Sequence, residues 1–250
     1  MSVRLVSAGV QAILLDVEGT TTPIAFVVET LFPYARKHLR RHVEQHASSP
    51  EYAQLLEQLH GEHARDREAG QPVPTWVETP AAVDLASVVG YLEWLMDRDR
   101  KSTALKDLQG RVWEEGYRLG DLQGDVFADV PRALERWRGD GLEIGIFSSG
   151  SILAQQLLFR HSSAGDLTGY LRWHFDTTSG GKADAESYRR IAAAMTIPPQ
   201  AVLFISDVVR ELDAARAAGL QTRLALRPGN AAAPDGHGHS VVHTFDDDVV

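Results

Sequence analysis

Apolar positions along this chain change their period twice, and the changes divide it into three stretches. The first holds Ala12-Ile13-Leu14-Leu15, a short continuous apolar run followed by Asp16, Glu18, Gly19 and Pro23. A run of this kind, closed by turn formers, reads as a buried strand with a loop opening after it. From residue 26 a helical period takes over. Stretches 26–43, 50–69, 80–100 and 103–119 each gather apolar side chains on one face, separated by loops such as Gly70-Gln71-Pro72. In the third of them Leu85, Val88, Val89, Leu92, Leu95 and Met96 follow i, i+3, i+4, i+7 spacing. Strand-like alternation is missing here, so these stripes are read as helix packing.

From residue 126 strands and helices alternate. Asp129 stands where it would cap a helix with Pro131 in its first turn. Strands are predicted over 143–147, ending in Ser148-Ser149-Gly150-Ser151, over 173–176, over 201–205, ending in Ser206-Asp207, over 221–226, ending in Arg227-Pro228-Gly229-Asn230, and over 240–245. Helices are predicted over 152–161, 185–195 and 211–218. Such alternation implies an α/β fold with a mostly parallel sheet, and the block between the first strand and residue 125 reads as an inserted helical module.

The composition adds exclusions. A chain of 250 residues suits one large domain or a core with an insertion. It contains no cysteine, which removes disulfides, thiolate nucleophiles and Cys-ligated zinc. Its net charge of −9 argues against nucleic acid or an anionic membrane as the partner. No apolar stretch has the length of a membrane span, and Asp16 and Glu18 interrupt the only apolar region near the N-terminus that would resemble a signal peptide. A cytoplasmic location is therefore expected.

In a parallel sheet the C-terminal ends of the strands cluster, and ligands bind there. Asp16, Glu18, Ser148, Ser149 and Asp207 all follow predicted strands, and Lys182 lies in the Gly-rich loop 177–182. Hard carboxylate oxygens suit Mg²⁺. A metal and an ammonium would offset charge on a phosphate, a serine and helix N-terminal N–H groups would bind its oxygens, and an aspartate would be its nucleophile. Taken singly, each has an ordinary alternative: Ser148 as a helix cap, Lys182 as a surface lysine, Asp207 as a cap, and Asp16 with Glu18 as solvated acids; Glu211 reads as a charge on a helix face, or as a group that orients the metal site. Their coincidence at strand ends favours a phosphoryl-transfer site. The ten histidines form no HxxH or HExxH pattern and are read as surface or packing residues.

Asp16-Val17-Glu18-Gly19-Thr20, Ser148, Lys182 and Asp207 fall in the order of the four motifs of the haloacid dehalogenase superfamily. The stretch Asp16 to Ile24, with Leu31-Phe32-Pro33-Tyr34, Gly165-Asp166-Leu167, Glu186-Ser187-Tyr188 and Arg227-Pro228-Gly229-Asn230-Ala231, more closely resembles the enolase-phosphatases of methionine salvage. This resemblance implies a Rossmann-like core over 1–20 and 126–250 with an α-helical cap over 21–125. It implies one Mg²⁺ per chain, held by Asp16, Glu18 (through its backbone carbonyl) and Asp207. Asp16 and Glu18 would be catalytic, and Ser148, Ser149 and Lys182 would contact the substrate phosphate. The substrate would be a small phosphate ester, 2,3-diketo-5-methylthiopentyl-1-phosphate, enolised and then dephosphorylated to an acireductone by a monomeric enzyme. Most phosphatases of the superfamily carry Asp where this chain has Glu18, so the base for enolisation is left open between Glu18, Lys182 and a cap residue. Two other readings stay open: a related phosphatase of another small ester, and a non-catalytic binding protein on the same scaffold.

Overall fold

In chain order the strands are β1 (Ala12–Leu15), β2 (Glu78–Thr79), β3 (Ala82–Val83), β4 (Glu143–Phe147), β5 (Trp173–Phe175), β6 (Val202–Ser206), β7 (Gln221–Ala225) and β8 (Ser240–Val242). The helices are α1 (Phe32–His46), α2 (Pro50–Glu68), α3 (Leu85–Asp97), α4 (Thr103–Leu119), α5 (Val130–Gly139), α6 (Ile152–Arg160), α7 (Ala185–Met195) and α8 (Val209–Ala217). The computed structural model describes residues 5–79, 82–100 and 102–246. It divides the chain into two compact units, Met1–Glu29 with Gly120–Val250, and Thr30–Leu119.

The first unit is built on a six-stranded sheet in the order β5-β4-β1-β6-β7-β8. Every neighbouring pair is parallel. All four residues of β1 are fully buried. Side chains alternate along a strand, so both faces of β1 must be covered, as parallel sheets require. On one face Ala12, Leu14, Val202, Phe204 and Leu224 pack with Tyr188, Ile191 and Met195 of α7 and Leu212 and Ala215 of α8. Each fully buried Leu or Phe there contributes roughly 1.5–3 kcal/mol over its exposed state.

The core unit begins and ends differently from the 20/21 and 125/126 boundaries expected. Thr20, Thr21 and Thr22 are fully buried, and the Phe127 N–H donates to the Thr21 carbonyl at 3.0 Å. The loop after β1 is thereby stitched to the chain that returns to the sheet, so it belongs to the core.

Asp129 takes the N-cap position of α5, but its side chain makes no capping hydrogen bond. Its Oδ2 instead accepts from Arg227 Nη1 at 2.6 Å, Thr244 Oγ1 at 3.0 Å and the Phe245 N–H at 2.5 Å. Burial alone would raise the Asp129 pKa; the Phe245 N–H, Arg227 and Thr244 outweigh it and hold the carboxyl below its ordinary value. Unfolded Asp129 therefore takes up its proton first. The stability it contributes is present above the ordinary carboxylate range and is lost as pH falls through the lowered folded value. Asp129→Asn leaves the buried guanidinium unpaired and is expected to cost about 3 kcal/mol. Thermal melts against pH would show this as a gap between wild type and variant that is widest near neutrality and closes below about pH 4.

The second unit holds α1 to α4. In α1 the buried face is Ala35, Leu39, His42 and Val43. Two departures from the helical reading occur in this part of the chain. Residues Phe26–Leu31 are π-helical and the α-helix starts only at Phe32. Pro33 has no N–H to donate to the carbonyl four residues back, so the regular ladder is interrupted there. The helix expected over 80–100 begins at Leu85, because the Asp84 carboxylate caps it by accepting from the Ala86 and Ser87 N–H groups. Before it, β2 and β3 form a short antiparallel ladder; Pro80 and Ala81 lie outside the described residues. Among the described residues no helix is long and apolar enough to cross a membrane.

Candidate active site

The sheet order sets β1 between β4 and β6, with Leu15 level with Ile146 on one side and Ile205 on the other. Three chain segments therefore leave the core side by side. They carry Asp16 after β1, Ser148 after β4 and Asp207 after β6. Chains departing to opposite sides of one strand open the crevice in which α/β sheets bind ligands.

Asp16 is buried, and its carboxylate is met from several sides. Lys182 Nζ bonds to Asp16 Oδ1 at 2.5 Å and to Glu211 Oε2 at 2.6 Å. Ser206 Oγ donates to Glu211 Oε2 at 3.0 Å and lies 3.5 Å from Asp16 Oδ2, and Thr20 Oγ1 is also 3.5 Å from Asp16 Oδ2. Lys182 is brought in by the loop before α7. Its own carbonyl accepts from Tyr188 Oη at 2.7 Å, and its ammonium lies 5.9 Å from the Phe147 ring centre. On the β4 side Ser148 Oγ donates to Glu18 Oε2 at 3.3 Å and accepts from the Gly150 N–H at 3.0 Å. Ser148 does not cap α6; Ser151 does. Ser149, its neighbour, is exposed.

Asp16 and Glu18 do not owe their proximity to strand alternation, because β1 stops at Leu15. A tight turn follows instead, in which the Val17 carbonyl accepts the N–H groups of Thr20, Thr21 and Thr22. Gly19 makes this turn possible. Its φ is +74°, and a Cβ there would overlap the Asp207 carboxylate and fall 3.1 Å from Asn230 Oδ1. Only glycine meets both demands.

Four carboxylates thus crowd one ammonium, and their protonation reflects it. Burial first, then Asp16 and Glu211, push the Asp207 carboxyl up to about 7. Burial and the Asp16 charge raise Glu18 as well, and burial with Asp16 raises Glu211. Burial alone would lower Lys182, but Asp16 and Glu211 outweigh it and hold the ammonium above its ordinary value. Asp207 Oδ1 is buried with no hydrogen-bond partner. Hard oxygen donors in excess of cationic charge, one of them orphaned, fit a divalent cation. Among the described residues no three His, Asp or Glu side chains form a closed cage. A Mg²⁺-type ion needs only one or two carboxylates, with water and substrate phosphate at its other positions.

The structure gives contacts to residues that the sequence reading left without an assigned place in the site. Glu211 is an ion-pair partner of Lys182 rather than a helix-face charge, and Ser206 joins it to Asp16. A Ser-Asp pair at a strand end, with Glu in the first turn of the next helix, was the available signal. Arg227 and Asn230 reach the β1 turn from the loop after β7, through contacts that no local pattern announces.

A family model of haloacid dehalogenase-like hydrolases matches residues 10–219. Enolase-phosphatase E1 from Synechococcus elongatus is 48% identical over 238 residues, covering 95% of this chain and 97% of that protein. A Vitis vinifera protein, named as a probable bifunctional methylthioribulose-1-phosphate dehydratase/enolase-phosphatase E1, is 41% identical over 242 residues, covering 95% of this chain and 47% of that protein. Among solved structures, the UTR4 protein of Saccharomyces cerevisiae is similar with a TM-score of 0.77 and 34% identity, covering 95% of this chain and 99% of that one. The chain belongs to the enolase-phosphatases, within the haloacid dehalogenase-like hydrolases.

Proposed function

We propose that this protein is an acireductone synthase, a Mg²⁺-dependent enolase-phosphatase acting on 2,3-diketo-5-methylthiopentyl-1-phosphate in methionine salvage. The observation that carries the reading is the meeting of Asp16, Glu18, Ser148 and Asp207 at three adjacent strand ends, with Lys182 brought among them by the loop before α7, in a chain 48% identical to an enolase-phosphatase along nearly its whole length. The Vitis relative supports the substrate class, since its name joins this activity to one on a methylthioribulose phosphate.

In this reading Asp16, Asp207 and the Glu18 carbonyl hold one Mg²⁺ per chain, in a monomeric cytoplasmic protein. The cation, when bound, offsets charge on the phosphate. Ser148, Ser149 and Lys182 bind the phosphate oxygens. Lys182, paired with two carboxylates, keeps its charge, so it attracts electrons and does not accept protons. Glu18 is the acid placed to move protons. It takes the proton from C1, beside the C2 carbonyl, leaving the enolate with its charge on the C2 oxygen. Asp16 then attacks phosphorus, the C1 oxygen leaves, and Glu18 protonates it. Water attacks the phosphorus of the aspartyl phosphate, giving its proton to Glu18, and Asp16 is restored with release of phosphate; Glu18 passes that proton to the C2 oxygen of the enolate and is restored as well.

Product analysis after incubation with the diketo phosphate and Mg²⁺ tests this. Free phosphate and acireductone are expected in equal amounts, and EDTA is expected to stop both. Phosphate without acireductone would leave a phosphatase of some other small ester. No turnover in the presence of Mg²⁺ would leave a binding protein on a phosphatase scaffold.

A further inference from the structure

The turn that carries Glu18 is tethered from outside at three successive carbonyls. Asn230 Nδ2 donates to the Gly19 carbonyl at 2.8 Å, Arg227 Nε donates to the Thr20 carbonyl at 3.0 Å, and the Phe127 N–H donates to the Thr21 carbonyl at 3.0 Å. The amide protons on the other edges of the same peptide planes, those of Thr20, Thr21 and Thr22, all point to the Val17 carbonyl. A peptide unit is a rigid plane with its C=O and N–H on opposite edges. Three consecutive planes are therefore pinned on both edges, and none of them can rotate without breaking two hydrogen bonds.

The two side chains of this clamp are themselves fixed. The Arg227 guanidinium pairs with Asp129 at 2.6 Å and donates to the His243 carbonyl at 3.1 Å. It lies between two phenyl rings, 4.8 Å from the centre of Phe127 and 4.0 Å from that of Phe245. Asn230 is tied by its own N–H to the Arg227 carbonyl at 3.1 Å and by Nδ2 to the Ala225 carbonyl at 3.3 Å. Among the described residues, neither side chain hydrogen-bonds to Asp16, Glu18, Ser148 or Lys182. Their hydrogen bonds to the β1 turn are made to its backbone.

We propose that Arg227 and Asn230 are positioning residues: by locking the peptide planes that follow Glu18, they hold the Glu18 and Asp16 carboxylates in the geometry that the reaction needs. The need is specific to this chain's sequence. Glu18 stands in a turn beyond the end of β1, on a side chain one methylene longer than aspartate, so no strand ladder fixes it. The inference rests on the reading of Asp16 as nucleophile.

The test uses the full-length protein with saturating Mg²⁺ and p-nitrophenyl phosphate, an ester that needs no enolisation. Asn230→Ala removes the hold on Gly19. Arg227→Lys retains a charge opposite Asp129, but a point-charge ammonium does not reproduce the fork that also reaches Thr20. Both are expected to lower kcat by about 10- to 100-fold, as a misplacement of roughly 1 Å does, with KM nearly unchanged. Asn230→Ala is also expected to melt close to wild type. Arg132→Ala, which removes an exposed pair with Asp246, is the control expected to keep kcat. A wild-type kcat in Asn230→Ala and in folded Arg227→Lys would overturn the proposal. So would a parallel rise in KM with kcat intact, which would assign these residues to substrate binding. Asp16→Asn run alongside separates the two readings. If it still releases phosphate, the nucleophile reading falls and the clamp falls with it; if it is inactive while the clamp variants keep kcat, only the clamp falls.

Discussion

Asp16→Asn is expected to release no measurable phosphate, with kcat down by about 10⁵-fold or more, the scale seen when a covalent nucleophile is removed. The substitution keeps shape and removes one charge. Lys182 then still has Glu211 at 2.6 Å, so the ammonium is not stranded and the fold is expected to persist by circular dichroism. An amide oxygen is too weak a nucleophile to attack phosphorus, whatever its position. The loss should therefore appear in kcat with the diketo phosphate and with p-nitrophenyl phosphate alike, because both pass through the same attack. Substantial phosphate release by folded Asp16→Asn would mean that water attacks the ester directly.

Lys182→Met has the second largest expected effect, and it acts on stability and activity together. The ammonium is buried and pairs with two carboxylates. Its removal leaves Asp16 and Glu211 facing each other without a cation between them. Breaking a buried pair in this way costs about 3–5 kcal/mol. Loss of a fixed charge beside the transferring phosphoryl group lowers kcat by about 10²- to 10³-fold. The stability loss has a pH signature. Glu211 is already held above its ordinary value by burial and by Asp16, and without Lys182 that pressure grows. A carboxyl whose folded pKa is raised destabilises the fold at higher pH, and the penalty is relieved as pH falls through the folded value. Melting curves of Lys182→Met should therefore approach wild type as the solution is acidified through the raised folded value of Glu211.

The parts of this molecule legible in its sequence are those that depend on local pattern. Apolar runs closed by turn formers placed β1, β4 and β6, and parallel alternation implied that Asp16, Ser148 and Asp207 would leave the sheet together. The sequence of motifs identified Lys182, a residue that alone resembles any surface lysine. Less legible were features set by distant contacts. Asp129 has the position and type of a helix cap, yet its carboxylate turns to Arg227 and Phe245, 98 and 116 residues away. The late start of α3 depended on one side chain, Asp84, within an unbroken helical pattern. Glu211 and Ser206 join the site because α8 begins immediately after Asp207, and Arg227 and Asn230 because β7 lies beside β6. Apart from the Asp84 cap, which is local, the deciding interactions join segments that only the assembled sheet brings together.

The central claim is that Asp16 carries the phosphoryl group during turnover. Rapid quenching of the protein with substrate and Mg²⁺, followed by borohydride reduction and peptide mass mapping, tests it directly. An acyl phosphate is reduced to the alcohol, so the account predicts homoserine at position 16 in wild type, formed only when substrate is present. Reduction at another carboxylate, or an intact Asp16 during rapid turnover, would contradict it.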